Sequence, residues 1–392
     1  MESGGKGIPE TTCRFCFGIV VGGIETKCEK SNSEKIMKIG VLTFHCAHNY
    51  GAMLQCYALQ EYLKGQGHEV YVIDYRPSYL VKSYAKHALW HWISRNLLRA
   101  VKRLLTEPFL FDIRGKRWEG FDNFMRTKLH LIPYYSTSNY ADLDLMIVGS
   151  DQIWSTRLTG GKFDPVFFGQ GLACRSISYA ASMSPCRLSE GEREVLPGLL
   201  QNLDALSVRE VELAELVRPL TDQEVRVVCD PVLLLIKEDW EKRCLPIKRK
   251  YPYVLCYNLL QSEACMEQAR KISKELGYEI VEITVVPRLS KPGQHCLQTL
   301  DPISFVSYFK EAAFVVTSSF HGTVFSVLFH KPFYVIGMGN LGGRSAALLE
   351  RLELKDRLLE QASGRASLKI DYAKVDRLLA EFRERSIKYL AV

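Results

Sequence analysis

Five short stretches carry the side chains able to bind anions, move protons or grip hydroxyls. In Thr317-Ser-Ser-Phe-His-Gly-Thr323 a histidine interrupts an apolar, β-branched run. His321 is the natural proton donor near neutral pH. Ser319 and the backbone N–H groups of Gly322 and Thr323 are expected to converge with it at a helix start, where free amides favour a phosphate or a developing anion. In Ser207-Val-Arg-Glu210, Arg209 has the planar fork that grips a carboxylate or phosphate bidentately; an ion pair with Glu210 would equally explain it. Gly149-Ser-Asp-Gln-Ile-Trp154 offers Asp151 and Gln152 as hydroxyl partners and Trp154 as a platform for a sugar. The same letters also describe an Asx turn beside a core tryptophan. His45-Cys-Ala-His-Asn-Tyr-Gly51 adds Asn49 and Tyr50 at a helix start. Gly342-Gly-Arg344 adds a second flexible, basic loop.

These stretches share one position in the pattern: each follows a strand. Buried strands are expected at 38–44, 69–74, 143–149, 176–181 and 205–209, with a helix running through Leu63 and another over 189–202. After Asp230-Pro231 a second β-α series begins, with strands at 253–259, 279–286, 313–318 and 333–337. Helices are expected at 262–276, 302–311, 322–330, 345–353 and 371–389. The fold class is α/β: two Rossmann-like doubly wound units, the alternation implying parallel sheets with right-handed crossovers. The first covers 37–230, with a helical basic insertion at about 75–142, and 231–250 is the linker. The second covers 251–370, and 371–392 is a C-terminal helix. Ligands of such pairs sit at the carboxyl ends of the strands. Residues 1–36 read as a poorly ordered extension before the strand that Met37 opens.

The chain has 392 residues, of which 47% are hydrophobic and 24% charged, the balance of a soluble globular protein. No apolar stretch reaches the ~18–20 residues of a membrane span, and no signal peptide is apparent, so a cytoplasmic location is expected. Twelve cysteines lack regular spacing. Cys13, Cys16 and Cys28 lack the fourth ligand of a zinc site, and no metal is expected. The net charge of +7 points to no nucleic-acid partner. Residues 86–105, KHALWHWISRNLLRAVKRLL, form a basic amphipathic helical pattern. It suits peripheral contact with an anionic membrane, at its inner face, or a core-packed helix with a basic outer side.

In order along the chain, FHCAHNYGAMLQCYALQ, LMIVGSDQIW, SISYAASM, SVRE, DPVLLL, TSSFHGTVFSVLFHKPF and the late GGRS resemble the polysaccharide pyruvyl transferase family of bacterial capsules and exopolysaccharides. That resemblance implies a GT-B-like fold and transfer of pyruvate from phosphoenolpyruvate onto two hydroxyls of a sugar, with phosphate released. The acceptor it implies is a surface-polysaccharide precursor, commonly linked to a polyprenyl diphosphate. Phosphoenolpyruvate is then the donor substrate, and no cofactor is implied. By position, His321 matches the family's catalytic histidine and Arg209 its donor-binding arginine. The family often has an arginine and a leucine ahead of that histidine, where this chain has Ser319 and Phe320. Arg344 is the candidate to supply the missing cation. Asn49 and Asp151, with Tyr50, Gln152 and Trp154, are then the candidates for the acceptor side. A nucleotide-sugar glycosyltransferase of the same architecture and a non-catalytic assembly scaffold are the competing readings.

Overall fold

The computed structural model describes residues 35–84, 97–135, 140–259, 261–290, 295–337 and 343–391. The expectations for residues 1–36 (apart from 35 and 36), for Cys13, Cys16 and Cys28, and for the tryptophan-bearing start of the 86–105 segment lie outside them. Residues 36–392 form one compact unit holding two large parallel sheets and a two-stranded one.

Strand β1 (Lys38–Leu42) leads into helix α1 (Tyr50–Gly65), which returns to β2 (Glu69–Asp74). Asn49 starts that helix by accepting the N–H groups of Gly51 and Ala52 at 2.9 and 3.3 Å. The chain then turns at Gly67, whose φ of +92° suits glycine. Short helix α2 (Ser78–Ser83) and long helix α3 (Leu97–Lys128) precede β3 (Leu131–Pro133). Because β3 pairs in parallel with β2, α3 is the crossover of a β-α-β unit, and the expected insertion ends in an edge strand of the sheet. Strands β4 (Leu145–Val148) and β5 (Ser176–Ser178) complete the order β3-β2-β1-β4-β5. Helix α4 (Glu190–Leu200) starts with a capping box between Ser189 and Glu192. Strand β6 (Leu206–Val208), helix α5 (Val211–Val217) and strand β7 (Val225–Val227) follow, β6 and β7 forming a small parallel pair.

A single-turn 3-10 helix (Pro231–Leu233) and α6 (Lys237–Arg243) lead to the second sheet. There β8 (Tyr253–Tyr257), α7 (Glu263–Leu276), β9 (Glu279–Ile283) and β10 (His295–Leu297) form one half. Helix α8 (Pro302–Glu311), β11 (Phe314–Thr317), α9 (Phe320–Leu328), β12 (Phe333–Ile336), α10 (Gly343–Arg351) and β13 (Leu358–Leu359) form the other. The order is β10-β9-β8-β11-β12-β13, with every neighbouring pair parallel. Both sheets are thus doubly wound, as the alternation of strands and helices predicts. No helix among the described residues is long and apolar enough to cross a membrane.

One apolar core runs through both sheets and the segment between them. Buried Trp240 anchors α6 by donating its indole N–H to the Val232 carbonyl at 3.1 Å. The last helix, α11 (Tyr372–Leu390), returns to the first sheet. Tyr389 donates to the Ser178 carbonyl at 2.8 Å, Ser386 accepts the Cys229 N–H at 2.9 Å, and Arg383 donates to Leu233 at 2.6 Å. Tyr389→Phe removes a buried hydrogen bond from this clasp and is expected to cost about 1 kcal/mol, checked by urea unfolding followed by tryptophan fluorescence.

Candidate active site

The carboxyl ends of β1, β4, β6, β7 and β11 point the intervening loops toward one region, where doubly wound sheets place ligands. A cavity of about 210 Å³ lies there, lined by Asn49, Asp151, Gln152, Ser319, His321 and Arg344 among others. It is smaller than the ~300–1,000 Å³ of drug-sized ligand pockets, which limits the enclosed part of a ligand to a small metabolite.

His321 stands in the first turn of α9, 8% exposed. Its Nε2 lies 3.5 Å from Asp230 Oδ2, and its other nitrogen packs on the start of α1. A Cβ built at Gly51 would fall 2.1 Å from Nδ1, so only glycine leaves room for the ring. Arg209, at the end of β6, places Nη1 3.1 Å from the same Asp230 oxygen and donates from Nη2 to the Ser150 hydroxyl. Its guanidinium carbon lies 5.4 Å from the centre of the Phe320 ring, and that of Arg344 lies 5.6 Å from the same ring. Two cations therefore flank one aromatic ring. Burial and the neighbouring Arg209 charge push the Arg344 guanidinium down from its ordinary value, against the pull of the Glu210, Asp151 and Asp230 carboxylates. This arrangement brings a cation to the region where Ser319 and Phe320 replace the pair expected from the family.

Asp230 is the group that sequence reasoning missed. Burial alone would push its carboxyl up, yet the Arg209 and His321 charges hold it down at about 2. Glu210 is a second buried carboxyl: Ser182 donates to it at 2.6 Å, and burial pushes it upward against the pull of Arg209 and Arg344. Among the described residues, buried polar atoms without an aligned hydrogen-bond partner gather here: Gln152 Oε1, Arg209 Nε, Glu210 Oε2, Asp230 Oδ2, His321 Nε2 and Arg344 Nε. Native interiors leave few such atoms. Their clustering marks a place prepared for a polar ligand.

The remaining candidates divide. Ser319 precedes α9 as its cap without placing its hydroxyl on the helix. Gly322 allows α9 to approach β11, since a Cβ there would fall 2.2 Å from Thr317 Oγ1. Asp151, at φ +68°, accepts the Gln152 N–H at 2.8 Å and lines the cavity beside it. Asn49 lines the cavity as well, but its Oδ1 already satisfies the first amides of α1, so that helix start is no open anion site.

Three assignments need correction. Thr323 is fully buried; its N–H and hydroxyl both donate to the Ser319 carbonyl at 3.0 Å, one turn into the helix, so neither is available to a ligand. Tyr50 is fully buried, stacked on Phe305 at 4.3 Å with its hydroxyl on the Leu300 carbonyl at 3.0 Å. Trp154 is likewise buried, stacked on Phe168 at 5.1 Å and donating to the Phe167 carbonyl at 3.0 Å. Neither ring meets the cavity. The loop histidines are also engaged elsewhere. His45 bonds Asp74 at 2.8 Å. His48 stacks on Phe121, and burial together with the Arg117 charge lowers it to about 4.

The profile of one family, described as polysaccharide pyruvyl transferase, matches residues 49–340. That span contains Arg209, Asp230 and His321 and stops short of Arg344. Among solved structures, the chain is similar to the glycosyltransferase SnogD from Streptomyces nogalater, with 10% identity, a TM-score of 0.41, and 91% of this chain and 99% of that one covered. It is also similar to a UDP-GlcNAc 2-epimerase from Neisseria meningitidis, with 12% identity, a TM-score of 0.41, and 89% and 100% covered. Likeness at these scores decides nothing about chemistry. No match was found among curated proteins.

Gly51→Ala is expected to displace the His321 ring and lower turnover at least tenfold, with the thermal midpoint changed by only a few degrees, read by scanning calorimetry beside the activity assay. Trp154→Ala is expected to act on the fold instead, costing about 3–5 kcal/mol in chemical denaturation while the remaining folded protein keeps its acceptor KM.

Proposed function

The chain belongs to the polysaccharide pyruvyl transferase family, and from that premise we propose that it transfers pyruvate from phosphoenolpyruvate to two hydroxyls of one sugar in a surface-polysaccharide precursor. The observation that carries this reading is a small cavity lined by a buried histidine and Arg344, with Arg209 next to it against the Phe320 ring and unpartnered buried polar atoms around both.

The reaction asks for what those residues offer. A proton delivered to C3 of phosphoenolpyruvate turns its methylene into a methyl and leaves cationic character at C2. One sugar hydroxyl bonds to C2 and loses its proton. The bond from C2 to the phosphate oxygen then breaks, and phosphate departs with the electron pair. The second hydroxyl bonds to C2 and loses its proton, which closes the ketal. Of the two hydroxyl protons, one replaces that given to C3 and one leaves with phosphate. His321 is positioned as the group that gives and regains the proton. Arg209 and Arg344, both held against the Phe320 ring, supply the fixed cations for the donor's carboxylate and phosphate, and such preformed charge costs no reorganisation during the reaction. Ser319 and the first amides of α9 extend the same grip, because the opening N–H groups of a helix have no partner within it. Asn49, Asp151 and Gln152 face the cavity from the first sheet and form the acceptor side.

His321→Gln is expected to lower ketal formation by at least ~100-fold while phosphoenolpyruvate still binds in calorimetry; near-normal turnover would contradict the role. Arg209→Lys keeps a charge beside Asp230 but loses the planar fork. It is expected to weaken phosphoenolpyruvate affinity about tenfold, a loss of ~1.4 kcal/mol, without unfolding the protein. Turnover of a nucleotide sugar in place of phosphoenolpyruvate would contradict the proposal as a whole.

A further inference from the structure

We propose that Asp230 is a positioning residue for this reaction: its carboxylate anchors the His321 ring from one side and occupies Arg209 until a donor anion arrives.

The carboxylate is braced with unusual thoroughness for a residue in a connecting segment. Asp230 is 1% exposed. One oxygen, Oδ1, accepts the Val232 N–H at 2.9 Å and caps the 3-10 turn that Pro231 opens. That turn is tied from two directions: Trp240 of α6 donates to the Val232 carbonyl, and Arg383 of α11 donates to the Leu233 carbonyl. The other oxygen, Oδ2, is aimed at Arg209 and His321 at 3.1 and 3.5 Å, with no aligned hydrogen bond to either. A side chain fixed this firmly, with one oxygen left free, serves the groups that the free oxygen faces.

Two consequences follow from the chemistry of a carboxylate, which only accepts. The His321 nitrogen facing it, Nε2, is the one that carries hydrogen, so the ring is held in one tautomer and one orientation. The opposite edge, Nδ1, packs on the start of α1 beside Gly51. Arg209 in turn has an internal counter-charge, which a donor carboxylate or phosphate must displace or share. Asp230 therefore favours the chemical step while opposing donor binding. That split separates it from a residue that merely keeps the fold.

The role in turnover rests on the pyruvyl-transfer reading; the ring anchoring does not. The test compares wild type with Asp230→Asn, which keeps the shape and the bond to Val232 but removes the charge. Ketal formation from phosphoenolpyruvate is measured together with the imidazole ¹⁵N spectrum of histidine-labelled protein, His321 being assigned with His321→Gln. The expected result is a kcat at least tenfold lower with the KM for phosphoenolpyruvate unchanged or reduced. In the spectrum, a wild-type neutral ring protonated at Nε2 is expected to lose that preference in the variant. An unchanged kcat, or a raised KM with an unchanged tautomer, overturns the proposal. If the variant fails to fold, the wild-type spectrum still decides, since a neutral ring protonated at Nδ1 contradicts the anchor. Wild type that shows the Nε2–H ring but makes no ketal would overturn pyruvyl transfer while upholding the anchor.

Discussion

The site depends on one buried carboxylate. Asp230 Oδ2 faces a guanidinium at the end of a strand of the small β6–β7 pair and an imidazole at the start of a helix in the second sheet. Leaving the guanidinium without this partner would place an unpaired charge in a dry interior, which is costly. The surrounding architecture holds the three groups together. The core continues through both sheets, and the C-terminal helix crosses back to fasten the turn that carries Asp230. The glycine at position 51 removes the one Cβ that would push the histidine away. Geometry that resists relaxation in this way suits a reaction whose charges develop at fixed points.

Around that carboxylate charges of both signs are packed together, Arg209 and Arg344 among Asp230, Glu210 and Asp151. Phe320 has the guanidinium carbons of Arg209 and Arg344 within 6 Å of its ring centre. An aromatic face is one of the few neighbours that tolerates two guanidinium groups at once. Arg344 reaches this ring from α10, so a cation far from the histidine in sequence lies beside its helix in space.

Much of this was legible in the sequence. The strand at 69–74 and the helix at 302–311 lie where the alternation places them, because long apolar runs with clear caps carry their own period. Strands β3, β7, β10 and β13 are not legible, being two or three residues long without the longer apolar run that marks β5 and β6. That omission hid Asp230. Its Asp-Pro sequence reads as a pause and as part of the DPVLLL resemblance, not as a site residue, but it follows β7 at the same sheet edge as the other candidates. The aromatic residues misled for a different reason. Tyr50 and Trp154 sit in polar loops, and local sequence does not say which way a loop side chain turns; packing against Phe305 and Phe168 decided it. Thr323 was misplaced by a helix start set two residues late, since α9 starts at Phe320 and its fourth residue already donates within the helix.

The central claim is that a proton placed on C3 of phosphoenolpyruvate initiates ketal formation at this site. The most direct measurement is to incubate the protein with phosphoenolpyruvate and a panel of diol-bearing sugar acceptors in deuterium oxide, and to read the products by mass and NMR. The account predicts a pyruvyl ketal whose methyl group carries one deuterium, formed together with an equivalent of phosphate. A ketal without deuterium, or consumption of phosphoenolpyruvate with no pyruvyl group on any acceptor, would contradict it.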